Sequence, residues 1–231
     1  MTFKREKRKY DLNKFFFVEL VRDCFKVSSL EQLHIERPDL LPSEKVEHKN
    51  DTETPIHKHF YNRLNKDGYL SWKQMTDTYD SFVREVVGPV IGEEFIYQKF
   101  PSFRVQLPNI IPHGNMAVYE FHSDSDSGYN HPIGEVNFQI ALTTMNNNSA
   151  TWIESEIGKG DYSPMNMVPG EYYKFCGNQL VHGNRENDTG LTRVSFDFRV
   201  LPLRAYNENL GLSSKSSNRK FVVGDYYKKL Q

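Results

Sequence analysis

The chain has 231 residues and a mass of 27.0 kDa, with 29 Lys and Arg against 30 Asp and Glu for a formal net charge of -1. That balance leaves no electrostatic footprint for a polyanion, so nucleic acid is excluded as the main partner. A mean hydropathy of -0.66 and the lack of any apolar run of about 18 residues exclude a membrane span, while 38% hydrophobic and 13% aromatic residues exclude wholesale disorder.

The start is basic (Lys4, Arg5, Lys7, Arg8, Lys9), but the apolar Phe15-Phe16-Phe17-Val18 is cut by Glu19, too short for a signal-peptide core. Two cysteines, Cys24 and Cys176, make no disulfide framework, so a reducing, cytoplasmic compartment is expected. Residues 1–102 read as helical scaffold. Apolar and charged residues alternate at helical spacing over 12–27, with Ser28-Ser29 as the stop, and 42–55 is polar enough to be a surface loop. After Pro55, Ile56, Phe60 and Leu64 recur four apart and predict a helix that ends at Lys66-Asp67-Gly68. Trp72, Met75, Tyr79, Phe82, Val83 and Val86 predict a second amphipathic helix, closed by Gly88-Pro89.

From Phe103 the period changes to two, with strands predicted near 103–107, 116–122, 134–143, 150–156, 171–176, 179–182 and 191–201. Residues 203–231 read as an irregular C-terminal arm that ends in a short docked segment at Lys220-Phe221-Val222-Val223. Alternation sorts three strands into two faces each. Arg193, Ser195, Asp197 and Arg199 share a face opposite Val194, Phe196, Phe198 and Val200; Glu135, Asn137 and Gln139 share one opposite Val136, Phe138, Ile140 and Leu142; Val118, Glu120 and His122 share a third, which Asp124 would continue. A solvated outer face would explain any one such row, but a polar barrel interior packed outside by helices explains all three together.

His122 and Asp124, two apart in an extended chain, stand roughly 7 Å apart at Cα and point the same way, so both can reach one ion. His182 is the best third ligand. Two histidines and a carboxylate form a facial triad that leaves half of an octahedral ion open to a chelating cosubstrate and dioxygen. A His-x-Asp alone is common by chance; its company here is Arg193 with Ser195 two residues on, a guanidinium and a hydroxyl that can grip a carboxylate from one strand face.

On these positions the sequence resembles the Fe(II)- and 2-oxoglutarate-dependent dioxygenases over about 103–202. Within that superfamily, Gly134-Glu135-Val136-Asn137-Phe138, Trp152-Ile153-Glu154-Ser155, Gly160-Asp161-Tyr162 and the run from Thr192 to Arg199 look like the StrG-type proteins of streptomycin-like biosynthesis clusters. The resemblance implies a mainly β fold with flanking α: a double-stranded β-helix (jelly roll, cupin-like) core at 103–202, with N-terminal helices packed on one sheet. It further implies Fe(II) on His122, Asp124 and His182, with Arg193 and Ser195 holding the far carboxylate of 2-oxoglutarate. Substrate oxidation with O2 would convert that cosubstrate to succinate and CO2. The substrate would be a small polar metabolite, such as a sugar or aminocyclitol derivative; the oligomeric state stays open.

Other residues have plain alternatives. Asn137 and Gln139 meet cosubstrate or substrate if their face is the lumen. Arg199 could grip an anionic substrate, or pair with Asp197 or a Glu. His131 is a contact near the site or a surface-loop histidine, His113 is read as structural, Trp152 as core and Cys176 as packing. A cupin-like metalloenzyme that does not use 2-oxoglutarate, and a catalytically silent barrel acting as a binding module, are the competing functions.

Overall fold

Strand β9, Arg193–Pro202, is the spine of the molecule, and all ten of its residues are buried. The computed structural model describes residues 5–42, 54–65, 72–109, 121–126, 129–214 and 218–230. Most of the predicted strand at 116–122, and His113, lie outside the described residues. Strands β1 (Glu6–Lys9), β2 (Phe95–Gln98), β3 (Ser102–Gln106), β4 (Val136–Ala141) and β7 (Glu171–Phe175) join β9 and β10 (Tyr227–Lys229) in a seven-stranded antiparallel sheet. Its order is β1-β7-β4-β9-β2-β10, with β3 also on β9. Strands β5 (Thr151–Ile153), β6 (Ser163–Pro164) and β8 (His182–Asn184) form a second sheet in the order β6-β5-β8.

The register on β9 explains the two faces. β4 lies along one side of it, pairing Val136 with Val200 through Ala141 with Ser195, and β3 and β2 follow one another along the other side. Val194, Phe196, Phe198 and Val200 therefore share a face with Phe103, Phe138 and Ile140, and that face packs on the helices in one continuous core. Full burial of a side chain such as Phe196 or Phe198 contributes about 1.5–3 kcal/mol. The helices supply the other half: Phe60 stacks on Phe103 with ring centres 4.0 Å apart, and Phe17 meets Phe196 edge-on at 5.8 Å.

Helix α1 (Phe17–Phe25) forms because Phe17, Leu20, Val21, Cys24 and Phe25 fall on one stripe, and all five are buried. It is shorter than the predicted 12–27, and left-handed Lys26 (φ 54°) ends it before the serines are reached. Ser28 and Ser29 instead donate their backbone N–H groups to the carboxylate of Glu36, the last residue of the short α2 (Leu33–Glu36). Helix α3 spans Pro55–Asn65 and α4 spans Trp72–Phe82, as the spacing predicts. Gly88-Pro89 does not close this second helix. A π turn over Val83–Val87 shifts the hydrogen-bond register, so Pro89 lands in the first turn of α5 (Gly88–Ile91), where its missing N–H costs nothing; Gly92 (φ 71°) is the true cap.

The main sheet also takes strands from outside 103–202. β1 and β2 come from the stretch expected to be helical, and β10 from the arm expected to be irregular. β1 is Glu-Lys-Arg-Lys, a charged edge with no apolar alternation to reveal it. The docked part of the arm is centred on Phe221, Tyr226 and Tyr227, which pack against Ile96 and Leu201. The strand predicted at 179–182 starts only at His182, because 177–180 form a turn that buries the Asn178 amide, whose Nδ2 donates to the Pro132 carbonyl at 2.8 Å. Among the described residues, no helix is long and apolar enough to cross a membrane.

Candidate metal centre

The polar face of β9 is turned towards the smaller sheet. A chain of hydrogen bonds crosses between them: Gln139 Nε2 donates to Thr151 Oγ1 (3.0 Å), Thr151 Oγ1 to Asn184 Oδ1 (3.2 Å), and Arg193 Nη2 to the same oxygen (3.1 Å). The polar row read from the sequence is thus an internal layer, not a solvated surface.

At one end of that layer stand His122, Asp124 and His182, one ligand atom from each lying within 4.8 Å of the others. The backbone explains why they meet. His122 and His182 exchange two N–H···O=C bonds of 2.9 Å, a directly opposed antiparallel pair, and Asp124 N–H donates to the Gly177 carbonyl at 2.9 Å. Gly177 is required by close approach: a Cβ there would lie 2.8 Å from Asn137 Nδ2 and 2.9 Å from His182 Cε1.

Asp124 Oδ1 lies 3.6 Å from His122 Nε2 and 3.9 Å from His182 Nε2. Ligand atoms about 2.1 Å from a shared ion stand ~3.0–3.4 Å apart, so the set is slightly open but aimed at one point. The donor chemistry fits a divalent transition metal. His182 Nδ1–H donates to the Leu180 carbonyl at 3.0 Å, which leaves Nε2 with its lone pair facing Asp124. Burial lowers the His182 pKa and keeps the ring neutral, the state that binds metal.

Asp124 is 1% exposed, and burial alone would raise its carboxyl; Arg199 and His122 outweigh that and hold it well below the usual carboxylate range. Asn137 Nδ2 donates to Asp124 Oδ2 at 2.6 Å. Asn137, expected to meet a cosubstrate, thus also touches a ligand carboxylate, and its buried Oδ1 has no hydrogen-bond partner among the described residues. Arg199 takes one of its sequence alternatives and adds a partner that was not expected: its guanidinium reaches Asp197 Oδ2 at 2.6 Å and also grips Asp124. Asp197 in turn accepts from Arg104 Nε at 2.7 Å.

At the other end of the layer Arg193 is 1% exposed, and its Nη1 donates to Ser195 Oγ at 3.0 Å, so the guanidinium and hydroxyl lie together on one face of β9. Asn184, which accepts from Arg193, lies two residues beyond His182 on β8, placing Arg193's anchor roughly 7 Å along the strand from a metal ligand.

His131 is not a surface histidine. Its Nδ1–H donates to Glu135 Oε2 at 2.7 Å, and its ring lies against Phe221. Glu154 accepts from the Val181 N–H at 2.8 Å and ties β5 to the start of β8. Trp152 is not core: it lies under the Arg185 guanidinium, 3.5 Å from the ring centre, beside Asn147 and Asp188 in an open cleft. Sequence reasoning missed Gly177, Asn184 and Gln106, the last also near Arg193; a lone Gly, Asn or Gln carries no local signal. It also gave no sign that Tyr129 lies over His122 (4.0 Å between centres) or that Tyr162 lies on Phe121 (4.6 Å).

No family model matches the chain. The crystal structure of EctD from S. alaskensis with bound Fe superposes with a TM-score of 0.53 at 11% identity, covering 90% of this chain and 75% of that one. The apoform of EctD gives 0.51 at 11% identity, covering 91% and 78%. These likenesses establish a shared fold. The streptomycin biosynthesis protein StrG of Streptomyces griseus is 31% identical over 220 residues, which cover 95% of each chain. Similarity sustained along almost the whole of both sequences shows that this protein belongs to the StrG family.

Proposed function

We propose that this protein is a non-haem Fe(II)- and 2-oxoglutarate-dependent oxygenase with a double-stranded β-helix (jelly roll) core, oxidising a small polar metabolite. The observation that carries the reading is the pairing of two ends of one polar layer: His122, Asp124 and His182 at one, and buried Arg193 with Ser195 at the other. Two imidazoles and one carboxylate are the ligand set of facial-triad iron sites. Fe(II) held there, with 2-oxoglutarate and O2, supplies the oxidation, 2-oxoglutarate being converted to succinate and CO2.

The chain's own residues bind, orient and exclude water. Asn137 and Arg199 fix the Asp124 carboxylate, with Oδ1 facing the histidines as well as accepting one Arg199 bond. Arg193 and Ser195 offer a fork and a hydroxyl to the far carboxylate of a short keto-diacid. Tyr129 lies over His122 and presents a flat ring beside the ligand set, suited to a cyclic substrate. The relative's part in streptomycin biosynthesis supports a sugar- or aminocyclitol-like compound, and a protein without a polyanion footprint suits a small-molecule substrate.

The test is anaerobic titration of metal-free protein with Fe(II) and then 2-oxoglutarate, followed by visible absorption. A charge-transfer band that needs both additions, vanishes in His182→Ala and weakens in Arg193→Ala is expected. Fe(II) uptake without a band would replace this reading with a metalloenzyme that does not use 2-oxoglutarate, and no uptake at all would leave a binding module.

A further inference from the structure

Two consecutive tyrosines near the end of the chain reach the same residue, Asp124, by separate routes. Tyr227, the first residue of β10, donates its hydroxyl proton to Glu135 Oε1. Glu135 is buried, and its other oxygen accepts from His131 Nδ1–H at 2.7 Å. The His131 backbone N–H then donates to the Asp124 carbonyl at 3.0 Å. This route fixes the main chain of Asp124.

The second route fixes its side chain. Tyr226 O–H donates to Gln98 Oε1 at 3.0 Å, and the same oxygen accepts the Arg199 backbone N–H at 3.3 Å. Arg199 then grips Asp124 through its guanidinium. Register holds the tyrosines in place: β10 pairs with β2 so that Tyr227 lies opposite Gln98, and Phe221 fills the space between His131 and the two rings.

We propose that Tyr226 and Tyr227 are positioning residues for the metal ligand Asp124, and that the docked C-terminal strand is a clasp on which metal affinity depends. The inference rests on the metal reading of the previous subsection. Neither tyrosine touches a ligand residue; each acts through groups that do. Loss of the groups that orient metal ligands commonly weakens metal binding about 10–100-fold, because a ligand free to rotate is no longer aimed at the ion.

The experiment titrates Co(II), a spectroscopic probe of histidine–carboxylate sites, into the metal-free full-length protein and its variants. Thermal unfolding of each metal-free variant is recorded alongside. Tyr227→Phe is expected to bind Co(II) about 10–100-fold more weakly than wild type, and Tyr226→Phe to weaken binding in the same direction. Tyr97→Phe is the matched control: it removes a hydroxyl that donates to Asp80 Oδ1 at 3.1 Å and lies on neither route, and its Co(II) affinity should be unchanged. Should Tyr227→Phe not fold, Tyr226→Phe carries the test. Wild-type affinity in the folded tyrosine variants overturns the proposal, as does an equal weakening in Tyr97→Phe. Failure of the wild type itself to take Co(II) overturns the metal reading and this inference together, an outcome distinct from the other two.

Discussion

Arg199 and Asp124, 75 residues apart, meet inside the protein through three hydrogen bonds of 3.1–3.2 Å from one guanidinium to one carboxylate. Asp124 Oδ2 takes two of these bonds, while Oδ1 takes the third and also faces the two histidines. Replacing Arg199 by Met would leave two buried carboxylates, Asp124 and Asp197, without their shared partner. Removing one member of a buried ion pair costs about 3–5 kcal/mol. Urea unfolding of Arg199→Met should show a loss of that order, with metal uptake reduced as well; unchanged stability would mean that the pair contributes little.

Arg193 and Ser195 should separate metal binding from cosubstrate binding. Arg193→Ala is expected to retain Fe(II) while losing about 100-fold in 2-oxoglutarate affinity, the scale of a lost charged hydrogen-bond pair. Ser195→Ala, which removes one neutral donor, should lose roughly 3–10-fold. Titration of the charge-transfer band reads both, and loss of Fe(II) itself in Arg193→Ala would contradict the assignment of the two ends.

The acid dependence follows from Asp197. Burial would raise its carboxyl, but Arg104 and Arg199 outweigh burial and lower it. A depressed folded-state value means that the stabilisation is fully present above the unfolded value near ~3.9 and is lost as pH falls through the folded one. Asp124 behaves in the same sense. Urea midpoints of metal-free protein between pH 6 and 3 should therefore fall below about pH 4. Asp197→Asn should start lower at pH 6 and fall less steeply; parallel curves for the two proteins would refute the assignment.

Gly177→Ala tests the contact between the turn and the site. The added methyl would lie within 2.9 Å of Asn137, His182 and Phe175 at once, and none of the three can move without disturbing the ligand set. Overpacking of this kind costs about 1–3 kcal/mol. A drop in metal affinity should accompany the destabilisation, measurable with Co(II) and thermal unfolding. A variant that binds Co(II) as wild type does would show that the turn has room to yield.

How far the site was legible varies residue by residue. His122 with Asp124, and Arg193 with Ser195, could be read because each pair lies two residues apart on one strand, where alternation places both side chains on one face. His182 was read as the best third ligand, although nothing in its spacing along the chain ties it to His122 and Asp124. The apolar row Val194, Phe196, Phe198 and Val200 read as core for the same reason of period. Trp152 was misread because an aromatic residue in a strand gives no sign of which side is covered, and Gly88-Pro89 because a π turn changes register without any local mark.

The sequence by itself determined the two faces of β4 and β9, the stripes of α1, α3 and α4, and the residue types of a histidine–carboxylate site, since periodicity is a property of neighbours along the chain. Only the tertiary structure decided that Arg199 turns to Asp124 as well as to Asp197, that Gly177 must lack a side chain, and that charged β1 and the distant β10 complete the sheet. The clasp from Tyr226 and Tyr227 belongs with these, for its links join residues 92 and 128 positions apart. Contacts at that separation are set by strand pairing and by burial of the groups between, and neither leaves a period in the sequence.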